Sequence, residues 1–235
     1  MKTGRLLRCL ALSALMGLGV GCIVSPQPSP PFEVAFEGDR IGLTGGIELT
    51  SNVVGFHAEP GTVDPPEGEV IVTNLDATDS PSVAKVQLDG SFDVAVPGQP
   101  GQRFRFQAKV GDARSEPFDL AVDSTGSVVS AVTPTSACLT IAPAAWAAFD
   151  GAGDARSLVI KNTCGETASI DTPQLRRGRA GFTFSPTDAI DLADGETATL
   201  TVVAGGASEL EDVLLLDVAG PAPELRAITL TLPDP

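Results

Sequence analysis

The chain has 235 residues, 30 of them acidic against 15 Lys+Arg, for a formal net charge of −15 at pH 7. That sign of charge excludes sequence-independent binding to DNA or RNA, which needs clustered cations to displace counterions from phosphate. The absence of tyrosine, with a single tryptophan and a single histidine, also excludes a Tyr-rich recognition surface.

The N-terminus carries an export pattern. Lys2, Arg5 and Arg8 form a basic head, Cys9 to Leu18 is mostly Leu, Ala and Met, and small residues lead to Cys22. This pattern predicts a cleavable secretory signal over residues 1–21. The apolar run is too short and glycine-rich for a membrane span, which takes about 20 residues. Leu18-Gly19-Val20-Gly21-Cys22 resembles the lipobox of bacterial lipoproteins, with the Leu one place earlier than usual. The resemblance implies that Cys22 carries fatty acyl chains such as palmitate, becomes the mature N-terminus and anchors the protein to a membrane. Ile23, where an Asp would signal inner-membrane retention in that family, implies the outer membrane of a Gram-negative cell envelope. The alternative is ordinary signal cleavage with Cys22 incidental. Ser25-Pro26-Gln27-Pro28-Ser29-Pro30-Pro31 reads as an extended, semi-rigid spacer, so residues 22–32 are expected to form a lipidated tether. Loss of residues 1–21 removes three bases and no acid, leaving 12 Lys+Arg against 30 Asp+Glu, a net charge of −18.

The remaining roughly 200 residues allow one large domain or two small ones. Short apolar runs broken by Gly, Pro and Asp turns predict an all-β chain of sandwich type. A first domain is expected over 33–123. Glu69–Asn74 reads as a strand, and Val83–Leu88 and Ser91–Val96 alternate apolar with polar residues. Asp89-Gly90 between the last two predicts a two-residue hairpin turn. Phe104, Phe106, Ala108 and Val110 share one face of the next strand, and Arg103, Arg105, Gln107 and Lys109 share the other. Phe118, Leu120 and Val122 close the series. Such a sheet buries one face and wets the other.

Residues 124–136 are polar and small, and read as a linker, although Val128, Val129 and Val132 would extend a strand into it. A second domain is expected over 137–235, with strands at Cys138–Ile141, Leu158–Asn162, Gly181–Phe184, Ala198–Val203, Val213–Val218 and Ala227–Leu232. Cys9 leaves with the signal and Cys22 goes to lipid, which leaves Cys138 and Cys164. An even pair in an exported protein reads as one disulfide. Two thiols 26 residues apart, far from the only histidine, do not make a zinc site, and without Cys-x-x-Cys spacing a redox role is not indicated.

Val159-Ile160-Lys161-Asn162-Thr163, Gly181-Phe182-Thr183-Phe184-Ser185-Pro186 and the Gly195-Glu196 turn into Thr197–Val202 resemble bacterial immunoglobulin-like modules related to the ASH and major-sperm-protein groups. The first half resembles immunoglobulin-like envelope domains with an Asp-Gly-Ser-Phe hairpin. The resemblance implies two immunoglobulin-like β-sandwiches in tandem, used for scaffolding, adhesion or display, with no catalytic residues to carry over. Cys164 is a departure from the second family's pattern.

Candidate sites are few. His57, in Phe56-His57-Ala58-Glu59, is the one histidine and so the one candidate general base of that kind, yet no Gly-x-Ser-x-Gly elbow accompanies it; a strand-end histidine is the plainer account. The acidic loops Asp64–Glu69, Asp76–Asp79 and Asp150–Asp154 lack the ligand spacing of a calcium loop. Arg176-Arg177-Gly178-Arg179 is either an anion-binding fork or a solvated loop. Trp146 is either a sugar-stacking ring or, as immunoglobulin-like sandwiches often have, a core tryptophan beside the disulfide. No catalytic residue, metal or other cofactor is therefore expected. The expected role is a non-enzymatic envelope lipoprotein, structural or for display. The rivals are an adhesin-type module binding an envelope protein or glycan, and a hydrolase.

Overall fold

The computed structural model describes residues 33–44, 52–127, 129–206 and 209–233. The signal peptide, Cys22 and the tether over 22–32 lie outside the described residues.

Among the described residues, eleven strands belong to the first sandwich: β1 (Ala35–Phe36), β2 (Ile41–Leu43), β3 (Val53–Ala58), β4 (Val63–Asp64), β5 (Glu69–Asn74), β6 (Ser82–Lys85), β7 (Phe92–Pro97), β8 (Arg103–Val110), β9 (Ala113–Arg114), β10 (Phe118–Val122) and β11 (Val129–Ala131). The sheet β2-β3-β7 faces the sheet β11-β10-β8-β5-β6, on which β9 pairs with β8. Alternation drives the packing, because every second residue of a strand points to the same face. Val54, Phe56 and Ala58 of β3 and Phe92, Val94 and Val96 of β7 meet Val70, Val72, Phe104, Phe106 and Leu120 from the opposing sheet. Phe56 stands edge-on to Phe104 and Phe106, with ring centroids 5.1 Å apart in each pair, a preferred geometry for aromatic pairs. Strand β11 extends into the 124–136 segment and pairs antiparallel with β10.

The Asp89-Gly90 turn differs from the expected two-residue hairpin. Only Gly90 takes a positive φ, of 83°, and its N–H donates to Gln87 O at 2.9 Å. The chain thus makes a three-residue reversal ending in a left-handed glycine. Its flanking strands then diverge, β6 to β5 and β7 to β3, in opposite sheets.

The second sandwich contains β12 (Leu139–Ala142), β13 (Trp146–Ala148), β14 (Ala155–Asn162), β15 (Ala168–Ile170), β16 (Gln174–Leu175), β17 (Thr183–Ser185), β18 (Ile190–Leu192), β19 (Thr197–Val203), β20 (Glu211–Gly220) and β21 (Glu224–Thr231). Sheet β12-β14-β19-β17 faces sheet β13-β21-β20-β15-β18, with β16 on β20. Leu139, Leu158, Ile160, Leu200, Leu214, Leu216 and Ile228 fill the space between them. The fold is all-β, as expected of tandem immunoglobulin-like sandwiches.

The prediction that the second face of β8 is wet fails at its centre. Arg105 is 4 % exposed and Gln107 2 %. They are covered because the outward face of β20 and β21 lies against them. Leu75 from the first sandwich packs with Val213 and Ala227 from the second, flanked by Leu215 and Leu225, as a small third core. Residues 33–235 accordingly form one compact unit.

Candidate functional site

The junction between the sandwiches holds the most heavily buried charges, and their arrangement starts from strand register. Asp119 of β10 stands opposite Arg105 of β8. Both carboxylate oxygens accept from the guanidinium, Nε and Nη2 each at 2.7 Å, a planar fork that neutralises Arg105 within its own sheet. Its remaining nitrogen, Nη1, crosses to the second sandwich and donates to Ala145 O at 3.1 Å and Thr229 Oγ1 at 3.2 Å.

Arg176 makes the reciprocal connection. It follows β16 and is 6 % exposed, and its Nη1 donates to three carbonyls at and beyond the end of β5: Asn74 O at 3.1 Å, Ala77 O at 2.7 Å and Asp79 O at 2.9 Å. Burial pulls its pKa below the ordinary arginine value, while the field of Asp212 acts in the opposite sense; the guanidinium remains charged. Arg177 Nη2 reaches Ser80 Oγ at 3.3 Å and Glu209 at 2.9 Å. The N–H groups of Arg177 and Gly178 donate to Asp212. Arg114 adds a 2.7 Å ion pair to Glu211 across the junction. The Arg176–Arg179 run is thus neither a fork awaiting an anion nor a solvated loop. Its first two arginines hold the sandwiches together, and only Arg179 is exposed.

Trp146 also departs from expectation. Alternation along β13 sends Ala147 into the second core and leaves Trp146 on the opposite face. Its indole N–H donates to Thr231 Oγ1 at 2.9 Å. The ring lines a cleft of about 170 Å³ bounded by Lys109, Asp112 and Arg114 of the first sandwich, away from the disulfide.

Cys138 and Cys164 are bonded, with Cα atoms 4.9 Å apart, just beyond the paired strands β12 and β14. The adjoining turn is organised by the fully buried Asn162. Its Nδ2 donates to Glu166 O at 2.7 Å and Leu192 O at 2.8 Å, and its Oδ1 accepts from Cys164 N at 2.9 Å. His57 Nδ1 lies 2.8 Å from Asp93 Oδ1, both side chains half-exposed; the two are cross-strand partners on β3 and β7. Two of the three acidic loops engage arginines: Asp76 pairs with Arg103, and Asp150 and Asp154 with Arg156. Among the described residues no three His, Cys, Asp or Glu side chains are grouped to hold a metal ion.

No family model matches the chain, and no curated protein does. Among solved structures, WR4 of Caenorhabditis elegans, a major-sperm-protein family member, is similar at 10 % identity and a TM-score of 0.36, over 41 % of this chain and 98 % of its own. A protein of unknown function from Porphyromonas gingivalis W83 is similar at 12 % identity and a TM-score of 0.33, over 85 % and 98 %. The native conformation of Escherichia coli α2-macroglobulin is similar at 12 % identity and a TM-score of 0.30, over 82 % of this chain and 16 % of that one. Likeness this distant assigns no activity.

Proposed function

We propose that the protein is a non-enzymatic cell-envelope lipoprotein, anchored through Cys22 in the outer membrane. Its two locked sandwiches serve as a stiff structural or display element. The observation that carries the stiffness is the pair of buried arginines, Arg105 and Arg176, each bridging the sandwiches from the opposite side. A hinge would leave such groups partly desolvated and unpaired whenever it opened, which is costly for a buried charge. The proline-rich run after Cys22 and the acidity of the chain suit a body held off an anionic membrane surface.

Anchoring is tested by fractionating cells that express the full chain and its Cys22→Ala variant. The wild type should sediment with outer membranes and carry acyl mass on Cys22, since two or more chains give stable anchoring. The variant should be recovered in the soluble fraction. A soluble wild type beginning at another residue would refute the lipid anchor.

A further inference from the structure

We infer that the cleft beside Trp146 is a binding site for a single uncharged sugar ring, such as the end of a neutral glycan. A structural element requires no such ligand, so the inference goes beyond the role proposed above.

The cleft is built from both sandwiches. From the first comes the tight hairpin joining β8 to β9, which places Lys109 opposite Arg114. Gly111 begins its turn at a φ of 58°, the conformation such a two-residue turn needs at its first central position. Asp112 sits at the exposed tip. From the second comes β13, with Trp146 and Ala148 on its outward side. The side chains of both halves are held in place by their own hydrogen bonds and ion pairs. Thr231 fixes the indole edge, and Arg114 is tied to Glu211 at 2.7 Å and Gln107 at 3.0 Å. The site is therefore pre-formed, and binding would not have to order it.

The lining selects the ligand class. A pyranose presents C–H groups on its faces and hydroxyls around its edge. An aromatic surface meets the first, and a carboxylate and an ammonium at the rim can accept from and donate to the second. Of the charged lining residues, Arg114 is neutralised by its ion pair to Glu211 behind the cleft and Lys109 is offset by Asp112, so no net charge attracts an anion, and the acidic chain repels one. The volume, about 170 Å³, lies below the range of drug-sized pockets and suits one ring rather than an oligosaccharide.

Trp146 reports on its own cleft, because the chain has no tyrosine and no other tryptophan. The experiment is an emission titration of the full mature protein with methyl glucoside, methyl galactoside, N-acetylglucosamine and, as an anionic control, galacturonate. At least one neutral sugar should give a saturable shift with a Kd on the order of 1 mM, as expected of so small a ligand. Asp112→Ala changes an exposed turn residue and should weaken that binding about tenfold with the melting temperature unchanged. No saturable shift with any neutral sugar, a response to galacturonate alone, or binding indifferent to Asp112→Ala would each overturn the inference.

Discussion

Arg176 shows how a residue that reads as a surface cation becomes part of the interior. Nothing in Arg176-Arg177-Gly178-Arg179 distinguishes a buried guanidinium from a solvated one. Its partners, the carbonyls of Asn74, Ala77 and Asp79, lie about a hundred residues earlier in the chain. Cys138 and Cys164 are legible because the two cysteines outside the expected signal and lipid site offer one pairing. Asn162 is not, since its role depends on the carbonyls of Glu166 and Leu192, the second of them 30 residues further on. Replacing Arg176 with Met keeps the bulk and deletes the donors, leaving three carbonyls without this partner. The expected loss is roughly 2–4 kcal/mol, or a fall in melting temperature of about 4–16 °C for a unit of this size. Arg176→Lys should recover only part of it, because a flexible ammonium does not hold its donors where the guanidinium Nη1 meets all three carbonyls. A melting curve of Arg176→Met that overlays the wild type would show that these contacts contribute nothing.

Among the strands, legibility follows length and alternation. Glu69–Asn74, Arg103–Val110, Thr197–Val203 and Glu211–Gly220 carry enough period-2 pattern to be found in the sequence. The three-residue β13 escapes notice because Trp146-Ala147-Ala148 sits in an alanine run with no β-branched residue and pairs in parallel with β21. Of β3 only the end is legible, as the strand-end histidine His57, because Gly55 interrupts its apolar pattern. The wet face expected of β8 fails for another reason: alternation tells which residues share a face but not whether that face later meets a second domain. The 124–136 segment is likewise tied down at its end. Glu224 of β21 accepts from the N–H and hydroxyl of Thr135 and from Arg226. Burial alone would raise its pKa, but those hydrogen bonds and the Arg226 charge outweigh it, so the folded value lies below the ordinary 4.5. A depressed carboxyl contributes stability that is fully present above the unfolded value and is lost as pH falls through the folded one. Wild type should therefore melt above Glu224→Gln at pH 7, with the gap closing below about pH 4.5. A gap that stayed constant on acidification would show that the charge of Glu224 is not what holds the segment.

At the scale of the molecule, two hydrophobic cores of ordinary sandwich type are joined by a third, smaller one and by arginines reaching both ways across it. Each core is visible in the sequence as a separate series of strands. Their union is not, because it rests on Arg105, Arg114, Arg176 and Arg177, each of which reaches at least one partner in the other half. Two sandwiches on a loose linker and two sandwiches locked together have the same residue pattern but different mechanics. The most direct test is calorimetric melting of the intact chain from Cys22 to Pro235 at pH 7. The locked arrangement predicts one transition whose calorimetric and van't Hoff enthalpies agree, as for a single cooperative unit. Two resolved transitions, or a calorimetric enthalpy well above the van't Hoff value, would mean that the halves unfold independently and that the buried arginines do not couple them.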